Sequence, residues 1–591
     1  MKKTIISACI AAIAGMSVLS SCGDELKPYP WIADDPNSGS EENLGSTDMD
    51  ALERQMIRGL RFVINYPGKG FNWQPHDYQY IRANSIDNYA GYWTTTKANF
   101  AFGPALATLY TDDNGYITGP ADARAFAYLK DAIFSWNVAQ YTDEDGNKYL
   151  QERPEWRAIA LICEAYVAHE IVDAYGVMQF TDTRAQKRTR PINYEAGPDV
   201  YKLVLADLDE AIATLKEKQP GPGELQRVEG TDAEMTFTNW DWRYWVKLAN
   251  CIKLRMAMNM VDYVDPDPVY GPDSKPFVAK NIAEEAVNDE IGVLLPTDDR
   301  DIAYHMTTHQ NVWYFIGNSW NDIRLNASLE NILKHFKSPL LNEWFDNNEY
   351  EIKNAAGQAA PRGVYGVRSG LYMEDTGGPD KGGYGPFAKL SGRQQYMKQP
   401  IFKRTEATLL RAEGALRGWN MGGTAQELYE AAIRVSFQEW GVEDKVDAYL
   451  ASDNLPVVNY RDYYNRVNDI DGRVSIGVKW NESDTQEVKL EKIITQKYIA
   501  NFPMGAEAWA NFRRTGYPRL FPVKINNMTN VDTEMQIRRC SFVQDANNGA
   551  EIQQATELLG GTQDCGTRVF WDVRSATWAK DANGQYIPQN F

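Results

Sequence analysis

Residues 405–441 read TEATLLRAEGALRGWNMGGTAQELYEAAIRVSFQEWG, two runs of helical spacing separated only by WNMG. A connection that short makes the two helices antiparallel neighbours. YEAAIR on the second helix has the character of a tetratricopeptide unit, and LADLDEAIATL at 205–215 echoes it. No regular repeat of the usual ~34 residues runs through the chain, so the pairs are tetratricopeptide-like and degenerate.

Working outward, EWRAIALICEAYVAHEIVDAYG (155–176) places Trp156, Ile159, Ala160, Cys163, Val167, Ile171 and Ala174 at three- and four-residue steps, with Gly176 as the stop. PDVYKLVLADLDEAIATLKEK (198–218) follows the same logic, with Pro198 near the start. In RYWVKLANCIKLRMAMNM (243–260), Trp245, Ala249, Ile252, Met256 and Met260 form one stripe. The expected fold is therefore mostly α: tetratricopeptide-like helical pairs form a scaffold, and long irregular insertions carry the ligand surface. Those insertions are 219–236, 261–300 and the Gly-rich 355–388. Loops of this length in a compact chain are functional or disordered, and their aromatics disfavour disorder.

The N-terminal end points to export. Lys2 and Lys3 precede an apolar run from Ile5 to Leu19, shorter than the ~20 residues a membrane-spanning helix needs. The Leu19-Ser20-Ser21-Cys22 that follows looks like a lipobox, which would make Cys22 the acylated first residue of the mature chain. Two or three acyl chains hold a protein stably at a membrane, where one does not. The expected organisation is a lipoprotein signal peptide over 1–21, a flexible membrane tether over 22–50, rich in Asp, Glu, Pro, Ser and Gly, and a single helical body over 51–591.

The composition narrows the partners. The chain has 591 residues, with 61 Lys and Arg against 80 Asp and Glu, a net charge of −19 that deepens once Lys2 and Lys3 leave. Such a body is repelled by phosphate backbones, so no nucleic-acid partner is expected. Cys163 and Cys251 lie inside helical patterns, and Cys540 and Cys565 flank a loop-rich stretch and are candidates for a disulfide in an oxidising compartment.

VDAYGVMQFTDTR (172–184), WRYWVKLANCIKLRMAM (242–258), LLRAEGALRGWNMGGTAQELYEAAIRVS (409–436), IITQKYIANFPMGAEAWANFRRTGYPRL (493–520) and TRVFWDV (567–573) together resemble the SusD/RagB family of outer-membrane nutrient-binding lipoproteins, in its SusD-like starch-binding-associated branch. The family's Gly-Asp-Val-Pro turn is here Gly-Val-Met-Gln at 176–179. The resemblance implies four tetratricopeptide-like units, a glycan-capturing role at the cell exterior and a SusC-like TonB-dependent transporter as partner. Gly23-Asp24-Glu25 is similar to the acidic export signals of surface lipoproteins in such bacteria.

Catalytic and metal motifs fare poorly. His305 and His309 have helical spacing, but Met306 stands where a zinc protease needs Glu. Asp143, Asp145, Gly146 and Glu152 sit at EF-hand offsets, but Tyr141 and Lys148 interrupt the pattern, which leaves structural calcium as the one cofactor candidate; otherwise none is expected. Neither GxSxG nor GxxxxGK[ST] occurs. Arg513 and Arg514, next to the helix-ending Gly516 and Pro518, are expected to pair with nearby acids rather than bind an anion.

The aromatics carry the binding expectation. FNWQPHDYQY (71–80), DNYAGYW (87–93) and AYHMTTHQNVWYFIGNSW (303–320) mix rings with amides and acids. A sugar ring packs its axial C–H face on an aromatic plane while its hydroxyls take partners at the rim. Trp93, Trp313 and Trp320 are the leading stacking candidates, followed by Trp73, Tyr89 and Tyr314, with Asn88, Asn311 and Asn318 as polar partners. Any one of them could instead be a loop anchor packed on the helical body. The expected function is non-catalytic capture of oligo- or polysaccharide at the cell surface and its delivery to the transporter. The alternatives are a peptide- or protein-binding subunit of a similar import complex and an all-helical glycosidase.

Overall fold

The computed structural model describes residues 75–95, 99–100, 103–104, 146, 153–185, 189–229, 238–304, 310–348, 351–371, 384–526, 528, 530–540, 542, 547–562 and 564–591. Cys22, the signal and tether segments, Trp73, His305, His309 and the EF-hand-like stretch apart from Gly146 lie outside them.

The principal helices are α1 (Pro154–Tyr175), α2 (Gly197–Lys218), α3 (Trp242–Asn259), α4 (Ala279–Asn288), α5 (Ala327–His335), α6 (Arg404–Leu416), α7 (Ala425–Glu439), α8 (Gln486–Ala500) and α9 (Gly505–Thr515). Pro154 opens α1, and Gly176 closes it at φ 85°, its N–H donating to Val172 O. This is the left-handed stop that glycine allows without strain. From there Val177 and Met178 pair with Ala196 and Glu195, which turns the chain straight into α2. Side-chain partners then run in opposite order along the two helices, Arg157 with Glu210 and Asp173 with Tyr201. The pair is thus an antiparallel hairpin. The second hairpin, α6 and α7, begins its second helix with a capping box between Thr424 and Glu427.

The insertion expected to be irregular over 261–300 contains α4. Its stripe, Ala279, Ile282, Ala283 and Ala286, has helical spacing but is mostly alanine, which weakens the hydrophobic signal in the sequence. Lys253 of α3 and Glu285 of α4 pair at 3.1 Å. A short helix, Pro222–Glu229, likewise lies in the expected loop 219–236.

Strands are few and short among the described residues. β1 (Trp93–Thr95) pairs antiparallel with β3 (Ile323–Leu325), and β2 (Ile302–Tyr304) pairs with β4 (Gln399–Phe402). They fasten loop segments to the helical body.

One hydrophobic cluster reaches from Tyr78 to Trp571, and a satellite of Ile352, Ala360, Tyr365, Val367, Leu371, Tyr384 and Phe387 is drawn mostly from the 355–388 insertion. Ions run through the main core. Arg255 pairs with Glu406 at 2.7 Å, Lys497 with Glu507 at 2.7 Å, and Arg514 with Glu413 at 2.6 Å, all with side chains at most a few per cent exposed. These pairs bridge α3 to α6, α8 to α9 and α6 to α9. Breaking one would leave an uncompensated buried charge, which makes their geometry strongly specified.

Arg514 thus pairs with an acid as expected. Arg513 does something else: its guanidinium lies 3.6 Å from the Trp509 ring centroid and 4.7 Å from that of Trp571, and it donates to Asp173 O and Arg538 O. Burial lowers its pKa to about 10, with Asp173 opposing.

Cys540 and Cys565 are both buried and outside any disulfide, so the candidate bridge is not formed in this structure. The main-chain N–H groups of Arg538 and Arg539 donate to Cys565 O at 2.7 and 3.3 Å, so the two stretches run side by side. Burial pushes the Cys540 thiol up to about 12, with Cys565 adding to the effect.

Candidate functional site

Residues 310–320 form a short arm laid against residues 390–397. Asn311 fastens the arm at its base. Its N–H donates to Gln395 O at 2.8 Å, and its Nδ2 donates to Gln394 O at 2.6 Å and Gln395 O at 3.0 Å. Its Oδ1 accepts the Tyr314 N–H at 2.9 Å and so caps the single helical turn Val312–Tyr314. At the far end, Asn318 Nδ2 donates to Leu390 O at 3.0 Å.

That turn divides the aromatics. Trp313 points inward and is 2 % exposed; it stands edge-on to Tyr78 at 5.4 Å, and its indole N–H donates to Asp87 at 3.3 Å. Tyr314, Phe315 and Trp320 remain partly exposed, with the Phe315 and Trp320 rings edge-to-face at 4.9 Å and 69°. The Tyr314 hydroxyl lies over Gly392, 4.0 Å from where a Cβ would stand. Tyr396, on the facing segment, is 47 % exposed, and Arg393 and Lys398 beside it are exposed cations. The surface therefore offers ring faces with hydroxyl and cationic donors around them, which is the chemistry that binds a polyol ring.

The structure brings Tyr314, Trp320, Asn311 and Asn318 together and places the other candidates elsewhere. Trp93 is 1 % exposed and packs against Phe345 and Phe502, and Tyr89 is buried against Trp509. Neither they nor Trp313 presents a face to a ligand, which corrects the expectation that they stack on sugars. Apolar burial wins because each ring has the helical body beneath it. Asn88 and Asn311 are also buried, and their polar atoms hold protein: Asn88 Oδ1 accepts from Ser369, and Asn311 laces the two segments. They are positioning residues rather than rim partners. Asn318 is partly exposed, with its amide N–H already given to Leu390.

Beneath the arm lies a cavity of about 30 Å³ lined by Tyr78, Arg82, Asp87, Trp313, Gln399 and Glu507, and a second of about 10 Å³ lies near His169 and Arg255. These volumes suit about one or two water molecules and are too small for a sugar ring. Among the described residues no group of three or more His, Cys, Asp or Glu is arranged to hold a metal.

Arg324 on β3 anchors the floor next to the arm. It is buried, donates to Gly385 O at 2.7 Å and to Ile323 O at 2.8 Å, and burial lowers its pKa to about 9 against the pull of Asp322. Burial also lowers the pKa of the partly exposed Lys389, with Arg324 adding to the effect.

A second aromatic surface escaped the sequence reading. Tyr463 and Tyr464 are partly exposed on the loop YRDYYNR at 460–466, whose mixture of rings with acid, amide and guanidinium groups was the available signal.

A profile of the SusD-like family, described as Susd and RagB outer membrane lipoprotein, matches residues 32–572. The chain is similar to a chitin-binding SusD homolog from Flavobacterium johnsoniae, at 32% identity and a TM-score of 0.72, covering 88% of this chain and 98% of that one. It is similar to a SusD-like protein from Bacteroides thetaiotaomicron, at 27% identity and 0.71 over 90% and 100% of the two chains. A SusD homolog from Bacteroides vulgatus shares the fold at 24% identity and 0.73 over 89% and 99%. No curated protein matches the chain.

Proposed function

The chain belongs to the SusD-like family of Susd and RagB outer membrane lipoproteins, and from that premise we propose that it is a non-catalytic, surface-facing subunit that captures oligo- or polysaccharide and delivers it to a SusC-like TonB-dependent transporter. Acyl chains on Cys22 would hold it at the outer membrane, with 22–50 as the tether. Among the described residues no helix is long and apolar enough to cross a membrane, which is compatible with an anchor of this kind.

The observation that carries the glycan reading is the partly exposed Trp320, Phe315 and Tyr314 set on an arm whose amides are already engaged in holding it rigid. Rings fixed in advance lose little entropy when a sugar packs on them. The similarity to a chitin-binding relative supports a polysaccharide as the ligand class.

The test is affinity electrophoresis of the mature chain against a polysaccharide panel that includes chitin fragments, repeated with Trp320→Ala and Tyr314→Ala. Loss of a stacking ring should weaken binding about tenfold or more, equivalent to roughly 1.4 kcal/mol. Unchanged binding in both variants would remove this surface from the reading. Binding of peptides without any glycan would replace it with the peptide-binding alternative, and oligosaccharide hydrolysis abolished by one carboxylate substitution would make the protein a glycosidase.

A further inference from the structure

We propose that Tyr463 and Tyr464 form a second glycan contact, distal to Trp320, so that one polysaccharide chain engages both surfaces and long chains are favoured over short ones. The proposal rests on the glycan reading above and extends it to the length of the ligand.

The tyrosine pair is built as a platform. Tyr463 stands at 4.9 Å and 64° to Tyr365, and Tyr464 at 5.0 Å and 68° to Tyr384, so each partly exposed ring is braced edge-to-face by a tyrosine below. Asp462, fully buried, sets the turn. Its carboxylate accepts the N–H groups of Tyr464 at 2.9 Å and Asn465 at 3.0 Å, the Tyr384 hydroxyl at 2.8 Å and Asn468 Nδ2 at 2.9 Å. Tyr460 and Ile470 close the loop with reciprocal main-chain bonds of 2.9 and 3.3 Å. Around the rings are guanidinium donors: Arg466 lies 5.9 Å from the Tyr463 ring centroid, and both Arg461 and Arg466 lean on Asp469.

One chain segment, residues 384–395, reaches from the tyrosine loop to the arm. Tyr384 touches the tyrosine loop, Gly385 O is held by Arg324, Ala388 O accepts the Leu325 N–H at 2.8 Å, Leu390 O is held by Asn318, and Gln395 O by Asn311. From Tyr384 to Gln395 the chain can span at most about 40 Å even if fully extended. A polymer can bridge any separation up to that bound, and a four-sugar fragment probes a shorter reach. Two weak contacts on one ligand multiply, because the second forms at high effective concentration, with gains of about 10²–10⁴ where the geometry allows both.

The experiment measures the affinity of the mature chain for a polysaccharide and for its own four-sugar fragment. We expect the polymer to bind at least tenfold tighter in wild type, the ratio to fall toward one in Tyr463→Ala/Tyr464→Ala, and the ratio to survive in Tyr463→Phe/Tyr464→Phe, which keeps the ring faces. Trp320→Ala should weaken both ligands. Hydroxyl-radical footprinting of the unaltered protein guards against a misfolded variant: the polymer should protect Tyr463 and Tyr464, and the fragment should not. An unchanged ratio in the alanine pair, or no protection by the polymer, would overturn the second contact while leaving Trp320 as a glycan site. Failure of wild type to bind any glycan would instead overturn the glycan reading, and the second contact with it.

Discussion

At the scale of single residues, burial decides which side chains recognise and which support. Trp93 and Trp313 fill the core, so Trp93→Ala or Trp313→Ala should cost about 3–5 kcal/mol of stability in urea denaturation, with any loss of binding following from loss of fold. Trp320→Ala should leave the unfolding midpoint near that of wild type and act on binding alone. A destabilised Trp320→Ala would reverse that assignment. Glu413 shows the same rule for charge. Burial alone would raise its carboxyl, but Arg514 and Arg417 outweigh it and hold the pKa down at about 2. Since that lies below its ordinary 4.5, the stabilisation is present above pH 4.5 and is lost as pH falls toward 2. Glu413→Gln leaves the Arg514 charge buried without its counterion and should cost about 3–5 kcal/mol at pH 7. The gap from wild type should narrow in acid, and equal midpoints at pH 7 would refute the ion pair.

Among elements, the α1–α2 hairpin depends on its turn. Gly176 sits at φ 85°, and a Cβ there would lie 2.7 Å from Leu559 Cδ2. Gly176→Ala therefore combines left-handed strain with a clash and should cost more than about 1 kcal/mol, read as a lower thermal midpoint. Across the same hairpin, Arg184 bridges Glu164 and Asp207. Burial raises the Glu164 pKa to about 7, with Arg184 opposing and Asp207 adding. A raised carboxyl contributes stability that is full below 4.5 and is lost as pH rises through about 7. Wild type should therefore lose on the order of 2 kcal/mol between pH 5 and pH 8 through this group, and Glu164→Gln should not. Parallel pH profiles for the two would count against the buried acid. These hairpins were legible in the sequence because strong apolar periodicity and glycine stops act locally. α4 was less so, because its buried stripe is mostly alanine and only its packing on α3 shows the burial.

For the whole molecule, the proposed lipid anchor makes one prediction of its own. Cys22→Ser should release the protein from the membrane fraction or leave its signal uncleaved, and normal processing with full membrane retention would refute acylation. The helical scaffold could be read from residues 155–176, 198–218, 243–260 and 405–441, since helical spacing, short turns and stop residues depend on neighbours along the chain, and the family resemblance from 172–184, 242–258, 409–436, 493–520 and 567–573. The candidate binding surface could not. Trp313 and Tyr314 are adjacent in sequence and face opposite environments, because one turn of helix capped by Asn311 directs the first to Asp87 and leaves the second by Gly392. The segments between Trp320 and Tyr463 are brought together from positions 61 to 83 residues apart, fastened by Arg324, Asn318 and Asn311 to main-chain carbonyls. Periodicity thus determined the helices, and the resemblance of particular stretches to the SusD/RagB family pointed to the class of protein. Which aromatic faces water was decided only by tertiary packing, because exposure depends on what the rest of the chain lays over each ring.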